Sequence, residues 1–298
     1  MVKKFLMVAV LLVVAYIALV QFKLLYRIVT GNKGGEPISE TLQNDVAQKV
    51  YSFSFSKYNS SGSKELEIEG DSADILAQNV KLINVIAKAY AEDSPVTITA
   101  DKGDFNRSTS QVKLKENVVA TTETGTRLMT NELDIFPSDK RLETQEVANV
   151  KKDNISIKGT GAESDSQMER VHFKKNVTVM IQNPDSETKK PTIITSDGPL
   201  EIDYKRNVAF FKKNVQAVDD RGTLKSDFMD VYYDKELKQV SKMVARGNVI
   251  IESKEGNKTY SDSAVYLAKE GRVVLGGDVE TEYVAEEKYS EKDKANIL

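Results

Sequence analysis

Val112-Lys-Leu-Lys-Glu-Asn117-Val118 is a phrase that this chain says several times over. It returns as Val171-His-Phe-Lys-Lys-Asn176-Val177, Ala209-Phe-Phe-Lys-Lys-Asn214-Val215 and Met243-Val-Ala-Arg-Gly-Asn248-Val249. A drifted copy is Val273-Val-Leu-Gly-Gly-Asp278-Val279, and a weak early one is Leu76-Ala-Gln-Asn79-Val80. Successive Asn or Asp positions lie 38, 59, 38, 34 and 30 residues apart, the 59 reading as one and a half units. A period of this size marks a supersecondary unit stacked several times, each copy too small to bury its apolar face alone.

Apolar residues stand five and three places before the Asn and one and three places after it. Alternation of period two puts alternate side chains on one face of a strand. The inward candidates are Val112, Leu114, Val118 and Ala120 in one copy, and Val171, Phe173, Val177 and Val179 in the next. Ala209, Phe211, Val215 and Ala217 follow, then Met243, Val249 and Ile251. The alternation slips at the Asn, where a bend or bulge is expected because Asn tolerates unusual backbone angles. Upstream of the phrases lie runs that open with Asp101, Asp197, Asp227 and Asp262, and polar turns such as Asn106-Arg-Ser-Thr109 and Asp234-Lys-Glu236 join the two. Strand, tight turn, strand is a run of antiparallel hairpins, and the chain beyond its N-terminus reads as all-β.

With no Cys among 298 residues there is neither a disulfide framework nor a thiolate metal site. The one His, His172, falls on an outward strand position, so triads and zinc sites lack parts. The acids around Asp101 and Asp104 lack the alternating ligands and closing Glu of a calcium loop. Gly159-Thr-Gly161 lacks the third glycine and following helix of a phosphate cradle. No catalytic residue, metal or cofactor is therefore expected. Residues 1–30 carry four basic side chains and no acid, which leaves about −7 of charge on the remainder when the whole chain carries −3. A mildly acidic β-protein without a basic stripe is no partner for nucleic acid.

Phe5 to Val20 is 16 apolar residues without interruption, preceded by Lys3 and Lys4. At ~1.5 Å per residue that run falls a little short of a hydrocarbon core of about 30 Å, and an extension to Leu25 with Lys23 snorkelling completes a span. A cleaved signal peptide is the competing reading. No small-x-small site follows the run, so a retained transmembrane anchor over 1–30 is expected. Residues 31–49 read as a tether, with a short helix over Ile38 to Lys49. Strands begin at Val50 and fill 50–183; 184–191 is a linker or a long hairpin loop; 192–284 forms a second β module; 285–298 is a charged tail.

Taken in order, the anchor, an early strand pair, Ile98-Thr-Ala-Asp101-Lys-Gly-Asp-Phe105, Val112-x-Leu-x-x-Asn117-Val118 and Gly125-x-x-Leu128-x-Thr130-x-x-Leu133 resemble the LptC/LptA (OstA-like) family of lipopolysaccharide export proteins. Ile157-Lys-Gly159-Thr-Gly161-Ala-Glu-Ser-Asp165, leading into Val171 to Val177, is similar to the C-terminal end of LptC. The likeness covers residues 1–182, and 192–283 look like an added LptA/OstA-like module. The resemblance implies an open, twisted β-jellyroll with a slot for acyl chains, and end-to-end pairing of edge strands into a bridge across the periplasm. It also implies an inner-membrane ABC transporter (LptB/LptF/LptG-like) and an LptA-like bridge protein as partners, with lipopolysaccharide as cargo.

Three functions compete on the residues alone. The chain is a lipid conduit, or a membrane-tethered structural or adhesive repeat protein with a dry core, or an anchored glycan-active enzyme with two carboxylates about 5 to 10 Å apart. Period and composition do not separate a slot wall from core filling.

Overall fold

The computed structural model describes residues 48–91, 94–182 and 190–284. The expected anchor, most of the tether, most of the linker and the charged tail lie outside the described residues. Among the described residues no helix is long and apolar enough to cross a membrane. Gln48 and Lys49, read from sequence as the end of a short helix, are strand residues here.

The chain forms one antiparallel meander. Its first strands are β1 (Gln48–Tyr58), β2 (Lys64–Ile75), β3 (Asn79–Ala91), β4 (Ser94–Asn106) and β5 (Val112–Thr121). Next come β6 (Arg127–Phe136), β7 (Arg141–Lys152), β8 (Ile155–Asp165) and β9 (Arg170–Ile181). Two short strands, β10 (Thr192–Ser196) and β11 (Leu200–Asp203), share one place in the order, each pairing with β9 on one side and β12 (Val208–Val218) on the other. After β13 (Gly222–Asp234), β14 (Gln239–Ser253) and β15 (Lys258–Leu267), the last place is again split between β16 (Arg272–Gly276) and β17 (Glu280–Glu282). All 17 strands among the described residues belong to one sheet.

Most of the long strands are interrupted by a bulge or a register shift, and on β5, β9, β12 and β14 the repeated Asn marks it. Glu116 and Asn117 are both left-handed (φ 64° and 51°), as are Lys213 and Asn214 and as are Gly247 and Asn248. Opposite them the register shifts between Lys115 and Val118, between Lys212 and Val215, and between Arg246 and Val249. Bulges of this kind bend a strand and sharpen its twist. The expected bulge is therefore present, but the change of parity lies elsewhere. On β5, β9, β12 and β14 the buried residues flanking the bulged Asn are four apart, as in Leu114 and Val118 or Phe211 and Val215, so parity is kept. On the partner strands they are three apart, as in Ala100 and Gly103, Thr130 and Leu133, or Ser226 and Met229. The extra residue sits on one strand of each hairpin, and its neighbour absorbs the shift.

Aligned bulges crease the sheet into two leaves that fold onto each other, apolar faces inward. Phe55, in the first-leaf half of β1, meets Phe105, in the second-leaf half of β4, with ring centroids 4.8 Å apart. At the leaf tips Lys57 reaches Ser138 (3.3 Å), and Asn154 donates to the Lys238 carbonyl (2.8 Å) and accepts from the Tyr233 hydroxyl. These tip contacts join residues 81, 84 and 79 apart in the chain, so the leaves cross at a steady twist. The architecture is consistent with the expected open jellyroll.

Candidate functional site

The space between the leaves is where the inward-facing residues converge. Val112, Leu114, Val118, Ala120, Val171, Phe173, Val177, Val179, Phe211, Val215, Ala217, Met243 and Val249 are all buried there. Ala209 and Ile251 are only partly buried and pack against the same cluster. The interior is continuous from the first part of the chain to the second. Leu200 pairs with Phe173 of β9 and with Phe211 of β12, which forms a row of three large buried side chains across the join. Gly159 makes room for that row, since a Cβ there would stand 2.6 Å from the Phe173 ring.

At three of the bulges the Asn is held across the strand pair by an Asp side chain, while Asn176 donates its backbone N–H to the Asp197 carbonyl at 3.1 Å. Asn117 donates to Asp101 (2.6 Å), Asn214 to Asp197 (2.6 Å) and Asn248 to Asp227 (2.7 Å). The two recurring polar positions of the sequence are thus two halves of one brace. The early copy is Asn84 rather than Asn79: Asn84 has φ 52° and donates to Asp71 at 2.7 Å, whereas Asn79 lies at the start of its strand. The 59-residue interval also resolves, into two hairpins of 29 and 30 residues that meet at Glu146 on β7, where no Asn is present. There the register shift between Thr144 and Val147 is retained, and the buried Thr144 and Thr130 hydroxyls lie 3.2 Å apart.

Between the leaves at the join lies a cavity of about 70 Å³, walled by Ile157, Ile194, Ile202, Phe211 and Val231 among others. An engineered cavity of roughly 150 Å³ takes one benzene, so this space as it stands holds no acyl chain. A larger one, about 250 Å³, opens toward the C-terminal end between Ala217, Leu224, Met243, Ile251 and Tyr266. Arg221, at the tip of one leaf, closes over it. Its guanidinium lies 4.4 Å from the Tyr266 ring centre on the other leaf, bonds the Tyr266 hydroxyl and pairs with Asp219. The cavity-lining residues of the partner strands, such as Ile157, Ile194 and Val231, were not among the sequence candidates. They stand on strands without the Asn phrase, and period-two alternation was the available signal.

Two sequence families match this chain, end to end along the described strands. Residues 8–182 match the family described as lipopolysaccharide-assembly, LptC-related. The chain belongs to the LptC-related family. Residues 193–296 match a second family, described as LptA/(LptD N-terminal domain) LPS transport protein. Among curated proteins, none matches the chain. An LptC-like part fused to an LptA-like module is what the residues resembled, and the change of family at 182–193 falls where β9 hands over to β10 and β11.

Proposed function

We propose that this LptC-related protein carries lipopolysaccharide from an inner-membrane ABC transporter along a periplasmic bridge, with acyl chains held between the leaves. The observation that carries the reading is the union of two lipopolysaccharide-transport families on one unbroken strand ladder with one apolar interior. Exposing an acyl chain of about a dozen carbons to water costs on the order of 10 kcal/mol, at ~0.8 kcal/mol per CH₂. A carrier must therefore offer continuous apolar contact, and the inward faces of the leaves supply it. The join cavity is too small for an acyl chain as it stands, so on this reading the leaves part as lipid passes. Residues 1–30 anchor the chain in the inner membrane with its bulk in the periplasm, and the protein acts by transport rather than catalysis. The second module does covalently what docking of a separate LptA-like chain does, and presents the outgoing edge to the next soluble partner.

Photoreactive residues at Phe173 and Phe211, both fully buried, test the slot, against Lys174 and Lys212 on the outer face. Lipopolysaccharide should label the first pair in cells and leave the second unlabelled. Equal labelling of both faces would remove the slot.

A further inference from the structure

At the join of the two parts, the rim of the small cavity carries a polar cluster that the apolar reading leaves unused. Lys152, on the first leaf, places its ammonium 4.4 Å from the ring centre of Tyr204 on the second. Lys235, from the turn after β13, lines the same cavity and the same outer recess of about 410 Å³. Neither lysine makes an ion pair among the described residues. Two of the acids around them are committed to other cations. Glu169 pairs with Lys205 at 2.7 Å and Asp203 with Arg206 at 2.8 Å, while Asp153 and Glu123 line the cavity and the recess. Burial holds the Lys152 ammonium below its ordinary value, and the charge of Lys235 adds to the effect, against weaker opposing pulls from Asp153 and Glu169.

The Tyr204 hydroxyl is the second, independent observation. Its oxygen is shut off from solvent and has no hydrogen-bond partner among the described residues. A buried unpaired donor is a cost that folded proteins avoid, and a rim of two cations beside one asks for an anion. Behind the rim the walls are apolar: Ile157, Ile202 and Phe211 face the cavity.

We propose that this rim receives a phosphate group carried on a hydrocarbon chain, Lys152 and Lys235 pairing with the anion, Tyr204 donating to it, and the chain lying against Ile157, Ile202 and Phe211 as the leaves part to admit it. The assignment rests on the lipid-carrying reading and adds where along the interior a phosphorylated headgroup is held. It makes the join of the two parts a recognition point rather than a plain seam.

The full chain held in amphipol tests it with three probes: octyl phosphate, octanol and inorganic phosphate. Octyl phosphate should bind saturably, about tenfold or more tighter than inorganic phosphate, because the tail adds apolar contact. Lys152→Gln and Lys235→Gln should each weaken it about tenfold, the scale of one charge-assisted hydrogen bond, and leave octanol unchanged. Lys152→Arg with Lys235→Arg should keep most of the affinity. Tyr204→Phe should weaken octyl phosphate severalfold without lowering the Tm, which a merely structural tyrosine would not do. Unchanged octyl phosphate affinity in the double Gln variant overturns the site, and so does loss of binding in the double Arg variant. Inorganic phosphate binding as tightly as octyl phosphate leaves a free-anion site and overturns the amphiphile. Lipopolysaccharide crosslinking at Phe173 in wild type is the separate control: its failure sinks the transport reading, while its persistence alongside an insensitive double Gln variant sinks the headgroup site alone.

Discussion

Asn117 stands at φ 51°, a conformation that strains most side chains and that Asn and Gly adopt most readily. Its amide also holds Asp101 across the strand pair, so two effects bear on one residue. Asn117→Gly should keep the backbone and lose the brace, at about 0.5–1.5 kcal/mol, and Asn117→Ala should lose both, at about 1–3 kcal/mol. Urea unfolding of the two variants measures the split, and an Ala variant no worse than Gly would mean that the backbone angle costs nothing. Phe173 poses the opposite problem, a ring with no room to spare. Gly159→Ala should cost about 1–3 kcal/mol by overpacking against it, and adding Phe173→Leu should cost less than the sum of the two single changes. Much at this scale was legible in advance. The Asn and the Asp were each visible as recurring letters, and the inward apolar positions follow from alternation. That the Asn and Asp touch was not legible, because pairing register is a property of two strands.

At the scale of the hairpin, sequence marked the bulge but assigned its consequences to the wrong strand. The bulged Asn strands β5, β9, β12 and β14 keep their parity and their partners shift, which only cross-strand alignment reveals, whereas on β3 the buried Leu82 and Val85 are three apart and the Asn strand itself shifts. The β7 copy was invisible because Glu146 and the Thr130–Thr144 pair occupy the place of Asn and Asp, and the β3 copy was misplaced because Asn79-Val80 imitates Asn84-Val85. The C-terminal hairpins add a clamp, Asp219–Arg221–Tyr266, which joins leaf to leaf. Burial pushes the Asp219 carboxyl up, but hydrogen bonds from the Arg221 side chain and the Arg221 and Gly222 backbone outweigh it and hold the group below its ordinary value. The folded value lies below the unfolded one, so the clamp's contribution is complete above about pH 4 and is lost as pH falls through the folded value. Hydrogen-exchange protection in β15 and β16, corrected for the intrinsic rate at each pH, should therefore fall below that pH in wild type, and Asp219→Asn should remove the step. A variant that keeps the same acid step would show that another carboxylate controls the end.

Over the whole molecule, a single folded ladder leaves two ends. Among the described residues β1 is the first edge, with Tyr51 72% exposed, and β16 with β17 is the last, with Val274 46% exposed on β16 and Val279 51% and Tyr283 79% exposed on either side of β17. Unpaired edges are templates for another strand, and an apolar edge invites a partner more strongly than a charged one. Removing everything after residue 182 is a poor test of the outgoing end. It strips β10 and β11 from β9 and uncovers Phe173 and its neighbours, so loss of function would follow from loss of the core. Proline at Val274 and Val279 is cleaner, because both side chains are exposed and little packing is lost, while proline removes the N–H groups and restricts the backbone that an incoming strand needs. On the proposed transport reading, the double variant should keep a Tm within a few degrees of wild type and keep any association with an inner-membrane transporter, yet fail to crosslink to a soluble LptA-like partner. If the partner is still captured, the outgoing contact lies elsewhere, and β1 would be the edge to block next.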